Sequence, residues 1–215
     1  MYTPSSFREE RLEVLHGLIA AHPLGALVRH GEDGLCADHL PFEIAAPTPE
    51  APFGILRAHV ARANPLWRAA GTDCMVIFQG PHAYITPAWY AEKQISGKEV
   101  PTFNYAVAHA HGPLRAIDDA AWLLGLVERL TARHEAGQAQ PWQVADAPAA
   151  YIDKLLKAIV GIEIPLTRLT GKWKLGQNRT QEDQASMARG LAQDNQPGAA
   201  QALGALIAAN VTPAS

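Results

Sequence analysis

Residues 24–44, LGALVRHGEDGLCADHLPFEI, read as two strands joined by a turn, and that reading sets the class of the fold. Leu24 to His30 is a short apolar run, Gly31-Glu32-Asp33-Gly34 has turn chemistry, and Leu35 to Ile44 is the returning partner. Pro41 has no N–H to give a ladder, so it marks an edge or a bulge in the second strand.

The same texture continues downstream. Residues 53–60 predict a third strand, with Ile55, Arg57 and His59 on one face and Leu56, Ala58 and Val60 on the other. Asn64-Pro65 opens a short turn or helix through Trp67. Cys74 to Phe78 and Ala83 to Thr86 predict a further hairpin turning at Gly80-Pro81. Residues 89–101 are polar and read as a mobile loop, residues 103–115 as a long strand, and residues 159–169 return to strand character.

Helices flank this strand-rich region. Ser5 or Ser6 can cap a helix starting near Phe7, which carries Leu12, Leu15 and Ile19 at helical spacing and stops at His22-Pro23. Asp118-Asp119 begins an amphipathic helix reaching Ala136, with Trp122, Leu123, Leu126 and Leu130 on its buried face. Residues 147–157, 181–193 and 198–209 predict three more, the last two parted by Asn195-Gln196-Pro197-Gly198. About six or seven strands without a regular βαβ rhythm argue against a doubly wound parallel sheet and predict an α+β fold, a mostly antiparallel barrel with helices outside it. The expected organisation is a barrel domain over residues 1–195 and a helical tail over 196–215.

The 215 residues carry a net charge of -3, which disfavours a general polyanion binder. Cys36 and Cys74 have no metal-site spacing and suit a reducing compartment. With no basic, apolar leader and no span long enough for a bilayer, the expectation is a soluble cytoplasmic protein without a membrane partner. No GxGxxG or GxxxxGK[ST] is present, so any phosphate recognition must come from side chains and strand backbone.

Three segments could do that. In residues 164–181, IPLTRLTGKWKLGQNRTQ, four cations (Arg168, Lys172, Lys174 and Arg179) stand without an acid, interleaved with Trp173, Gln177 and Asn178. Cations beside an aromatic and amides suit an anionic ligand with a flat ring, although a solvated basic loop would read the same way. In residues 56–65, LRAHVARANP, Arg57 and His59 share a strand face while Arg62 and Asn64 fall where the strand turns. Tyr84 and Thr86 share a face beside the Gly80-Pro81 turn. His109 and His111 also share a face, but the nearest acids are Glu99 and Asp118, so two partly buried imidazoles are favoured over a metal site. No nucleophile stands in an activating setting, so no catalytic residue and no metal are assigned.

Six stretches together resemble the PaiB-type FMN-binding negative transcriptional regulators. They are Met1-Tyr2-Thr3-Pro4 with Phe7, His39-Leu40-Pro41-Phe42, residues 57–65, residues 80–90 (GPHAYITPAWY), residues 100–105 (VPTFNY) and residues 172–179 (KWKLGQNR). Gly176 stands where the family run carries serine. The resemblance implies a split β-barrel related to pyridoxamine-phosphate oxidases and flavin reductases, a homodimer with FMN at the subunit interface, and repression of genes through a DNA contact. Arg62, Asn64, Lys174 and Arg179 are the expected phosphate or ribityl contacts. His59, Tyr84, Thr86, Asn104, Gln177 and Asn178 are expected around the ring or chain. The main reading is an FMN-binding regulator or flavin-based redox sensor; the competing readings are a flavin-dependent oxidoreductase acting on a small molecule, a haem-binding barrel with His109 or His111 as axial ligand, and a dimer with a vestigial pocket.

Overall fold

The hairpin of residues 24–44 forms, but its second strand ends at Pro41 rather than running through it. The computed structural model of the chain describes residues 1–32, 34–193 and 198–211. Asp33 of the first turn and residues 195–197 of the second therefore lie outside the described residues. In chain order the elements are β1 (Arg8–Glu9), α1 (Leu12–Ala21), β2 (Leu24–Gly31), β3 (Gly34–Pro41), β4 (Glu43–Ala45) and β5 (Ile55–Ala61). They continue with β6 (Asp73–Ile85), α2 (Ala91–Ser96), β7 (Thr102–Pro113), β8 (Arg115–Ile117), α3 (Ala120–Glu135) and α4 (Ala149–Leu156). The last four are β9 (Ile159–Pro165), β10 (Arg168–Lys174), α5 (Gln181–Gln193) and α6 (Ala199–Asn210). The result is α+β, with two antiparallel sheets and peripheral helices.

Two compact units divide the chain. The first comprises Met1–Ala21, Gln79–Ala108 and Thr170–Ser215, the second His22–Phe78 and His109–Leu169.

In the second unit, β2 pairs with β3 along its whole length, Leu24 facing Pro41 and His30 facing Leu35. The other edge of β2 meets β6, Leu27 opposite Val76. After Pro41 the wholly buried Phe42 packs edge-on against Phe78 at 5.7 Å. Glu43 then opens β4 opposite Arg57, in a four-stranded sheet ordered β4-β5-β9-β8. Proline's missing donor is the reason the chain changes sheets here. The predicted two-faced pattern of β5 holds: Leu56, Ala58 and Val60 are buried and pair with Ile164, Ile162 and Val160. Each large side chain among them contributes about 1.5–3 kcal/mol on burial. Asp119 caps α3 by accepting from the Trp122 N–H at 2.7 Å, and Leu123, Leu126 and Leu130 are buried along that helix.

In the first unit the strand order is β1-β10-β7-β6, with Arg8 opposite Lys172 and Glu9 opposite Gly171. That pairing draws residues 8–9 into the sheet. The N-terminal helix therefore begins at Leu12, not near Phe7, and Ser5–Phe7 is a single 3-10 turn without a serine cap. Leu15, Leu18, Ile19, Trp173, Leu175, Met187, Leu191, Leu203 and Ile207 supply its core.

Three further expectations are corrected. Residues 74–86 form no hairpin, because β6 runs unbroken for 13 residues. Burial alternates through Cys74, Val76, Phe78 and Gly80, then slips by one to Pro81, Ala83 and Ile85. Gly80 and Pro81 thus act as a phase shift, where proline is tolerated. A Cβ at Gly80 would come within 2.7 Å of Leu18, so the glycine marks a close approach rather than a turn. Residues 89–101 hold the end of a 3-10 turn at Pro87–Trp89 and the helix α2 instead of a loop. Residues 159–169 split into β9 and the start of β10. Among the described residues no helix is long and apolar enough to cross a membrane.

Candidate functional site

A cleft of about 240 Å³ opens within the first unit. Its polar lining includes Thr102, Asn104, Lys174, Asn178 and Arg179, and its apolar lining Phe7, Val100 and Pro101. Strand β7 places Asn104 by simple alternation. Asn104, Ala106, Ala108 and Ala110 fall on the buried face, and among them only Asn104 is polar. It is 1% exposed, and its Nδ2 donor has no partner. Such an orphan costs about 1–3 kcal/mol unless something satisfies it.

Lys174 is the last residue of β10. Its Nζ donates to Thr102 Oγ1 at 2.5 Å and to the Phe103 carbonyl at 2.7 Å. Burial pushes its pKa below the ordinary lysine value, with neighbouring Lys172 acting in the same direction. The chain then turns at Gly176, whose φ is 86°. Gln177 clips this turn: its Oε1 accepts from the Leu175 N–H at 2.8 Å and its Nε2 donates to the Trp173 carbonyl at 2.5 Å. The turn delivers Asn178 and Arg179 to the cleft. Arg179 Nη1 lies 2.7 Å from Glu99 Oε1, and its guanidinium lies 4.8 Å from the centre of the Tyr90 ring. Burial pushes the Tyr90 hydroxyl pKa up, and Arg179 opposes that shift.

Of the residues expected from sequence, the structure brings Asn104, Lys174, Asn178 and Arg179 together in this cleft. Gln177 is spent on the turn beneath them. Tyr84 and Thr86 belong to the same unit but not to the lining. Tyr84 is half-exposed and stands edge-on to Phe103 at 6.3 Å, while Thr86 caps a 3-10 turn by accepting from the Ala88 N–H at 3.3 Å.

His59, Arg62 and Asn64 belong to the second unit. Arg62 donates to both oxygens of Asp118, at 2.9 and 2.6 Å, and to the carbonyls of Lys157 and Ile159. Asn64 donates to Asp38 at 2.9 Å and accepts from the Leu66 N–H, capping the turn at Pro65–Ala69. His59 Nδ1 is buried without a partner, and burial pulls its pKa down. Burial does the same to His109 and His111, and Arg168 Nη2 lies 3.0 Å from His111 Nδ1. Among the described residues no group of three or more His, Cys, Asp or Glu could hold a metal ion.

Glu99, Tyr90 and Thr102 are the parts that sequence reasoning misses. In the sequence Glu99 stands out only as one of the acids nearest the histidine pair; its partner is Arg179, 80 residues away along the chain. A flavin mononucleotide asks for cations at its phosphate and for donors and acceptors along its polyol and ring edge. Two cations, an unpartnered buried amide and an apolar wall meet those needs in kind.

Residues 1–168 match the family model described as "Putative FMN-binding domain". An uncharacterised protein of Emericella nidulans is 34% identical over 226 residues, covering 89% of this chain and 90% of that one. The "Protease synthase and sporulation protein PAI 2" of Bacillus subtilis is 29% identical over 206 residues, 94% of each chain. Among solved structures, the FAD and heme binding protein from Mycobacterium smegmatis superposes with a TM-score of 0.58 at 19% identity, over 79% of this chain and 74% of that one, a likeness of fold. The sequence match and the two-sheet architecture agree, and the chain belongs to this FMN-binding family of the split-barrel fold.

Proposed function

We propose that the protein is a flavin-dependent oxidoreductase acting on a small molecule. One observation supports the flavin site on which this reading depends: a buried, unpartnered amide donor shares a cleft with two cations. Lys174 and Arg179 hold the FMN phosphate, and Asn104 donates to the polyol or the ring edge. Phe7, Val100 and Pro101 keep water from that face of the ligand. When bound, FMN supplies hydride or electron transfer; the protein supplies grip and orientation.

A cleft of about 240 Å³ falls short of the ~300 Å³ at the low end of ligand pockets, so it covers only part of the cofactor. We place the rest of the wall on a second copy of the chain. Support comes from the apolar side chains the first unit leaves in water: Tyr84 and Phe103, touching and each 51% exposed, and Val100 at 66%.

A DNA-binding repressor, the role implied by the resemblance to the PaiB-type regulators, is the second reading. Against it, three arginines of the second unit are already engaged. Arg57 pairs with Glu163, Arg62 with Asp118 and Arg129 with Glu43. The deciding experiment measures NAD(P)H oxidation by the FMN-loaded protein against free FMN, alongside a gel shift with promoter DNA. Turnover well above free FMN with no salt-sensitive shift supports the enzyme. A shift without turnover overturns it.

A further inference from the structure

Glu99 precedes β7 and carries the one acid in contact with the cleft's lining cations among the described ion pairs. Its side chain is 5% exposed. One carboxylate oxygen, Oε1, receives Arg179; the other, Oε2, is buried and has no partner. A charge-bearing oxygen in that state is costly, more so than the orphan amide of Asn104 five residues on. The first unit thus holds an unsatisfied acceptor and an unsatisfied donor at the two ends of Glu99–Asn104. Between them, Val100, Pro101 and Thr102 line the cleft; Glu99 is not itself a lining residue and meets the lining through Arg179.

We propose that Glu99 is a ligand-reading residue: Oε1 fixes Arg179, and Oε2 accepts a hydrogen bond from a neutral donor of the bound ligand while Asn104 Nδ2 gives one. The ligand class is one whose edge carries a donor and an acceptor close together, beside an anionic group for Lys174 and Arg179. This rests on the flavin reading above and adds to it a contact that cations cannot make. Two parts of a flavin offer that chemistry, the hydroxyls of the ribityl chain and the imide edge of the ring.

The alternative role for Glu99 is that of a counter-ion, acting only through Arg179. Riboflavin separates the two, because it lacks the phosphate that Arg179 would serve. The test uses the full chain and the double variant Glu99→Met with Arg179→Met. Removing both partners of a buried pair for apolar groups of similar length leaves the fold close to neutral, where removing one would not. Thermal unfolding of the ligand-free protein checks that.

Dissociation constants for lumiflavin, riboflavin and FMN are then read by fluorescence quenching. The proposal expects riboflavin to bind about tenfold or more weakly to the double variant, the loss of a charge-assisted hydrogen bond. If lumiflavin weakens in parallel, the donor is the imide; if it does not, the donor is a ribityl hydroxyl. Unchanged riboflavin affinity with weakened FMN overturns the proposal and leaves Glu99 a counter-ion. Failure of the unmodified protein to bind any of the three overturns the flavin reading itself, which is a separate result.

Discussion

The Arg62–Asn64 cluster of the second unit and the Glu99–Asn104 and Lys174–Arg179 cluster of the first meet their polar needs differently. In the second, Arg62 is closed off by Asp118 and two carbonyls, Arg57 by Glu163, and Asn64 by Asp38 and a backbone N–H, while Arg29 Nε and His59 Nδ1 stay buried without partners and away from the cleft's lining. In the first, Asn104 Nδ2 and Glu99 Oε2 stay buried without partners, beside cations with room in front of them. Similar clusters of Arg, Lys and Asn in sequence are thus satisfied by protein partners in one place and left partly unsatisfied beside a cleft in the other. The difference lies in whether an acid or carbonyl is within reach, which pairing across many residues decides. Stored cost at an open site is the usual mark of a group awaiting a ligand.

That contrast can be broken most forcefully in the β5–β9 core. Leu56→Ala deletes a wholly buried side chain and costs about 2–5 kcal/mol of stability, read from denaturant midpoints. The contrast predicts that protein remaining folded keeps its FMN affinity. In the cleft, Lys174→Ala should weaken FMN binding by about 1–3 kcal/mol with little change in Tm. An unchanged dissociation constant would remove Lys174 from the site. Asn104→Leu should leave the ligand-free Tm unchanged or higher, since an orphan donor is removed, while FMN binds more weakly. A fall in Tm would show that the amide is structural.

Titration separates the units further. His59, His109 and His111 all have pKa values lowered by burial, so the folded chain binds fewer protons than the unfolded one near their ordinary range. Their contribution is complete above the unfolded value and is lost as pH falls below about 6.5. Tm should therefore drop between about pH 7.5 and about pH 5.5, and His59→Phe should flatten part of that slope. The smallest effect is expected from Arg62→Ala: FMN affinity within error of the unmodified protein, because Arg62 is committed to Asp118.

Much of the frame is readable from local pattern. The alternation of residues 55–60, the cap at Asp119 and the turn at Asn64-Pro65 depend on neighbours along the chain, and each forms as read. The departures are of two physical kinds. At Gly80-Pro81, residues with turn chemistry sit in a long strand that merely shifts phase against its neighbours. At Phe7, helical spacing loses to pairing with a strand more than 160 residues on, which no local signal reports. The cleft is half legible for the same reasons. Lys174, Asn178 and Arg179 lie in one run, and Asn104 betrays itself as the polar member of an alanine-lined face. Glu99 can be assigned only once its distant partner is known.

Gly176 ties the cleft to the far end of the chain. Its backbone is left-handed, and a Cβ there would start 2.5 Å from the Met187 methyl of α5. The wall that presents Asn178 and Arg179 is therefore seated on α5, flush against it. A chain cut short after residue 180 would keep every residue lining the cleft and still lose the footing on which two of them stand.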